Sequence, residues 1–232
     1  MSSHEPTRPP DAPDPGVVGN ERLTAWAGAV LLILALVEIV TVPALRSLLW
    51  VHFFVGVLLA GPVVVKIAST SWRFLRYYTR HPAYRRKGPP RRYLRVLAPV
   101  LLAATLAVIG SGIALAATGP APAILLKIHV ISFLVWLATL VAHVVAYLAR
   151  VPRLIAEDWR GRRPGARWGR LLANIVALAC GAIAAVLLLP TAGPWVPWLG
   201  NGQAKVLLLY ALVAVIALVL GQLARRREQE KQ

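Results

Sequence analysis

The stretch LLKIHVISFLVWLATLVAHVVAYL, Leu125–Leu148, decides the fold. It is apolar and exceeds the ~20 residues that a helix needs to cross a bilayer. It also carries two histidines, His129 and His143, fourteen residues apart. That separation is close to four turns of α-helix, so both imidazoles point to nearly the same side and stand about 21 Å apart along the axis. A third histidine, His52, lies in an earlier apolar stretch. Polar rings inside hydrocarbon call for a hydrogen-bond partner or a metal, and this spacing suits haems stacked across one membrane.

The rest of the chain agrees with a membrane setting. Of its 232 residues, 58% are hydrophobic and only 15% charged, outside the range of ordinary soluble domains. Apolar segments at 23–43, 48–69, 96–117, 122–148, 170–190 and 204–223 predict an all-α integral membrane protein with six transmembrane helices. Residues 1–22, rich in Pro and polar groups, lack the basic start and cleavage site of a signal peptide and are expected to be a disordered cytoplasmic leader. Residues 23–223 then form one membrane domain, and 224–232 a basic cytoplasmic tail.

A net charge of +17 would fit nucleic acid, but its placement argues for topology instead. Nine Lys/Arg lie between Arg73 and Arg95, seven between Arg150 and Arg170, and four from Arg225 onward, 20 of the 26 in all. These regions fall on one side of a six-pass chain. By the positive-inside rule they, and both termini, are expected in the cytoplasm, with the chain in the cytoplasmic membrane. Cys180 is the single cysteine. That excludes an internal disulfide, a cysteine-ligated iron–sulfur cluster and C-x-x-C-H haem attachment. Metal chemistry here must rest on histidine.

Depth in the bilayer tests the haem idea. Segment two begins on the outer side near Leu48 and segment four near Pro122, so His52 and His129 stand at a similar outer level and can face each other. Two neutral imidazoles on facing helices are the bis-His axial pair of low-spin b-type haem. The predicted core is thus four helices, with haem between helices two and four. Gly56, one turn after His52, suits the close approach of a flat macrocycle, and Gly110 and Gly112 could serve the same need. At the inner level His143 has no facing histidine, because Lys66 stands fourteen residues after His52. Lys66 could support a haem propionate, ligate iron opposite His143, or snorkel to the interface. One haem b is the expectation, with a second left open, and the candidate ligands are His52, His129 and His143. Interhelical hydrogen bonding is the alternative for each histidine.

Other residues have plainer readings. Glu38 is either an interfacial partner of Arg46 or a group that helps a proton or quinol reach the outer level. Trp50, Trp195 and Trp198 fit an outer aromatic belt. His81 is expected to be solvated. The loop SWRFLRYYTRHPAYRRKGPPRRYLR, Ser71–Arg95, interleaves arginine with Tyr77, Tyr78, Tyr84 and Tyr93, suiting topology and contact with lipid, haem propionates or an acidic partner.

The runs LLWVHFFVGVLLAGPVVVKIASTSWRFLRYYTR (48–80), YRRKGPPRRYLRVLAP (84–99), GSGIAL (110–115) and Leu125–Leu148 together resemble a group of actinobacterial membrane proteins related to the cytochrome b type. The segment-four spacing is similar to that of the haem-bearing helices in cytochrome b of the quinol-oxidising complexes and in the membrane subunit of formate dehydrogenase. Over about residues 48–148 the family's histidines map onto His52, His129 and His143, with the fourth ligand absent. The resemblance implies electron transfer between a quinone and a redox partner protein. No nucleophile, base dyad or nucleotide loop points to chemistry on a substrate within this chain. The other readings are a small transporter with a polar pathway and a structural or assembly subunit without haem.

Overall fold

A computed structural model describes residues 14–89, 91–120, 123–161, 164–199 and 221. The expected sixth segment, apart from Gly221, and the expected tail lie outside them, as do residues 1–13 of the leader. The described residues are helical and contain no strand. Five spans are long and apolar enough to cross a membrane, and the chain is a multi-pass membrane protein.

The first helix, α1, runs Pro15–Thr41. Asp14 caps it by accepting from the Gly16 and Val17 N–H groups at 2.8 and 3.2 Å, and Pro15 fits the first turn because it has no N–H to satisfy. The leader therefore does not extend to residue 22. Residues 15–22 are polar enough to escape a hydropathy window yet compatible with helix, and they carry the first span outward from the membrane.

The second span is bent. α2 (Leu45–Leu58) and α3 (Ala60–Tyr78) join through Leu59, which keeps helical dihedrals. Pro62 donates no bond to the Leu58 carbonyl, which loosens the helix there. That carbonyl faces α8 (Pro164–Leu188). A Cβ built on Gly181 of α8 would lie 2.6 Å from the Leu58 oxygen, and one on Gly61 would fall within the van der Waals shell of the Ala177 oxygen. The two glycines let the backbones touch, the usual device where lipid removes the hydrophobic drive for helix pairing.

α3 continues past the expected end at residue 69 into Ser71–Tyr78. With the short helix α4 (Pro82–Lys87) and α5 starting at Arg92, most of the predicted loop is helical. α5 (Arg92–Thr118) ends at Gly119, φ +74°, and pairs as a hairpin with α6 (Ala123–Tyr147). α7 (Arg150–Arg160) leads to α8, and a 3₁₀ helix, Leu189–Trp195, follows it.

The basic regions gather at one end of the bundle. Glu21 of α1 faces Arg150 (3.0 Å), Lys87 (3.2 Å) and Arg73 (3.9 Å). Asp158 of α7, 2% exposed, accepts from Trp26 Nε1 and Arg170 Nε at 3.0 Å each and faces Arg22 at 3.6 Å. These two carboxylates fasten α1, α3, α7 and α8 together where arginine would otherwise repel arginine. Tyr84 is buried with Val17 and Ala83, so it holds α4 to α1 and does not meet lipid. His81 is half-buried against Tyr84 instead of solvated.

A cavity of 1690 Å³ runs along the bundle. Four spans line it, α1, α2–α3, α5 and α6, with α7 at the basic end and Trp195 at the far end. Ala35, Ala104, Trp136 and Leu137 join α1 to the α5–α6 hairpin beside it. At the far end Leu49, Leu115 and Trp195 close it. Trp195, 6% exposed, is thus a core residue and not part of a belt, whereas Trp50 and Trp198 are exposed as expected.

Candidate functional site

α2 and α6 bring His52 and His129 together at the level the sequence implies. Their ring centroids are 6.4 Å apart and their planes perpendicular, at 87°. Both line the cavity.

The hydrogen bonds around each ring settle its tautomer. His52 Nδ1 lies 2.9 Å from Thr41 Oγ1 and 2.9 Å from Glu38 Oε1. The Thr41 hydroxyl already donates to the Glu38 carbonyl at 2.6 Å, so it can only accept from the ring. His129 Nδ1 lies 3.0 Å from the Val108 carbonyl, which can only accept, and 3.1 Å from Ser111 Oγ, itself donating to the Ala107 carbonyl at 2.6 Å. Both rings therefore carry hydrogen on Nδ1 and a lone pair on Nε2. A ring fixed through Nδ1–H with Nε2 available is the arrangement of metal-bound histidines.

Glu38 serves His52 directly. It is 8% exposed, Oε1 sits on the imidazole, and Oε2 is buried with no partner among the described residues. The expectation that its place is an interfacial pair with Arg46 gives way to this contact. A segment-one carboxylate reaches a segment-two imidazole because α1 and α2 fold back at Pro43.

The glycines divide. A Cβ on Gly112 would come 3.1 Å from His129 Cε1, and one on Gly56 3.1 Å from Glu38 Oε1. Gly56 lines the cavity but also makes room for the carboxylate that holds His52. Gly110 faces outward with nothing near it.

Nearer the basic end, Lys66 Nζ donates to the Thr24 carbonyl at 2.9 Å, in space that Gly28 leaves open. It crosses to α1 and does not snorkel. His143 lines the same cavity, its ring 4.8 Å from that of Tyr147 and its Nδ1 buried without a partner among the described residues.

Thr41 and Ser111 were invisible as ligand supports in the sequence. The available signal was a hydroxyl within an apolar segment at the depth of each histidine. No group of three or more His, Cys, Asp or Glu lies together among the described residues, so side chains alone build no metal centre there. A porphyrin supplies four nitrogens and asks the protein for only two. Family models, curated proteins and solved structures were all compared with the chain, and none matches.

Proposed function

We propose that this chain is a b-type cytochrome of the cytoplasmic membrane, with the basic end and both termini cytoplasmic, that passes electrons between the quinone pool and a redox partner protein through one bis-His haem held by His52 and His129. The observation that carries the proposal is the facing pair with both Nε2 lone pairs available. Two metal–nitrogen bonds of roughly 2 Å, with the distance from each ring centre to its nitrogen, span roughly 6 Å, which agrees with the 6.4 Å between centroids.

The donor set and the cavity fit the group. Neutral imidazoles suit low-spin iron, and 1690 Å³ exceeds the roughly 300–1,000 Å³ of ordinary ligand pockets. When bound, haem supplies the one-electron carrier. The chain's own residues do the rest. Glu38 and Thr41 orient His52; Val108 and Ser111 orient His129; Gly112 leaves His129 its position. Glu38 also raises the donor strength of His52 through its Nδ1–H. The apolar wall keeps water from the pair. His143 lacks a facing ligand, and Lys66 is engaged by Thr24, so a single haem is assigned.

The test is a reduced-minus-oxidised visible spectrum of the purified protein with haem quantified per chain. A sharp low-spin α-band at one haem per chain is expected, lost in His52→Ala and His129→Ala and kept in His143→Ala. A folded protein that takes up no haem when haem is plentiful would refute the proposal and favour a transporter or structural subunit.

A further inference from the structure

The cavity changes chemistry along its length. Beside His52 and His129 its wall is apolar apart from Glu38. At the basic end Arg73, Arg95, Arg150 and Arg160 form its rim, and Glu21 is the single carboxylate among the described lining residues there. Glu21 is already shared by Arg73, Lys87 and Arg150, so the rim stays strongly positive.

The depth of that rim is marked by aromatic residues. Tyr78 and Trp159 on it are 67% and 59% exposed, and Trp72 and Trp168 close by are 46% and 60% exposed. The Arg76 and Arg167 guanidinium groups sit 4.5 and 4.8 Å from the Trp72 and Trp159 ring centres. Exposed aromatic rings with arginine mark the boundary between hydrocarbon and headgroups. The rim therefore lies at headgroup level, while behind it Ile67, Leu94, Leu101 and Val144 continue as apolar wall.

We infer that this end of the cavity seats the headgroup phosphate of an anionic phospholipid from the adjoining leaflet, with its acyl chains along the apolar wall between α5–α6 and α1–α3. Arginine is the cation best shaped for phosphate, through paired N–H donors. A lipid also matches both parts of the surface at once, which a soluble anion or an acidic peptide does not. Carboxylates on a ring held at His129 do not reach the rim, since Tyr147 lies about 27 Å further along α6. The inference is independent of the haem proposal.

Quenching of tryptophan fluorescence by brominated lipids in reconstituted bilayers tests it, because Trp159 stands on the rim. Brominated phosphatidylglycerol is expected to bind several-fold more tightly than brominated phosphatidylcholine. Each rim arginine removed should lower that preference by roughly fivefold, from the attraction of one basic residue to an anionic membrane. Arg73→Gln/Arg150→Gln should abolish the preference. Arg85→Gln/Arg86→Gln, with the same charge loss on α4 away from the cavity, should keep it. Arg160→Gln leaves the Glu21 cluster in place and should still weaken binding, which separates a lost site from a disturbed fold. Equal loss in rim and control variants, or no preference in the parent protein, would overturn the inference. So would competition by millimolar inorganic phosphate or tighter binding of a polyglutamate peptide.

Discussion

Glu38→Ala should loosen haem while leaving the empty bundle at least as stable. His52 is oriented by two side chains, Glu38 and Thr41, whereas His129 is oriented mainly by the Val108 backbone carbonyl, which no substitution removes. The contact from Glu38 is charge-assisted, and such a bond contributes roughly 1.5–3 kcal/mol. Its loss corresponds to roughly ten- to a hundredfold in haem affinity, the range found when supports of metal ligands are removed. Glu38→Gln keeps a neutral acceptor and should lose about fivefold, or on the order of 1 kcal/mol. Ser111→Ala should lose about twofold or less, because its hydroxyl donates to Ala107 and the Val108 carbonyl stays in place. Removing the buried carboxylate also removes Oε2, which has no partner among the described residues, so the melting temperature without haem should hold or rise. Haem titration of the purified protein, followed at the Soret band beside thermal melts, measures both quantities. Equal losses for Glu38→Ala and Ser111→Ala, or parent-like affinity for Glu38→Ala, would refute the asymmetry argued here.

Gly112→Val should displace the His129 ring and reduce haem content at saturation, measured by pyridine haemochrome, because even one added carbon would press on Cε1 at 3.1 Å. Gly181→Val should force α8 away from Leu58 and cost about 1–3 kcal/mol by overpacking. Thermal melts should register it while the haem spectrum stays unchanged, since the lining comes from the other spans. Asp158→Ala strands Arg22 and Arg170 without their shared carboxylate. It should cost about 3 kcal/mol, the lower end for a broken buried pair because Arg22 is partly exposed, and limited proteolysis should then cut first around α7.

Several features were legible in the residues alone. The apolar segments settle the membrane-spanning helices, because helix is the open route to satisfying every backbone group within hydrocarbon. The depth match between His52 and His129 follows from alternating direction and segment ends. Segment boundaries were less legible. Hydropathy stops at residue 69, yet α3 runs to Tyr78, and residues 15–22 extend α1, because helix formation does not end where the lipid does. The pairing of arginine with Glu21 and Asp158 was hidden as well, since the acidic partners are far away in sequence.

The sequence by itself therefore determines an all-helical membrane chain, a strongly basic end and the level of two histidines. Which polar group meets which is decided by tertiary structure. Only the fold-back at Pro43 brings Glu38 and Thr41 to His52, only the α5–α6 hairpin brings Val108 and Ser111 to His129, and only the packed bundle moves Trp195 from a membrane belt into the core. The physical reason is that hydropathy depends on each residue's own transfer free energy. A hydrogen bond to an imidazole depends instead on the rotation and offset of two helices, which packing alone sets.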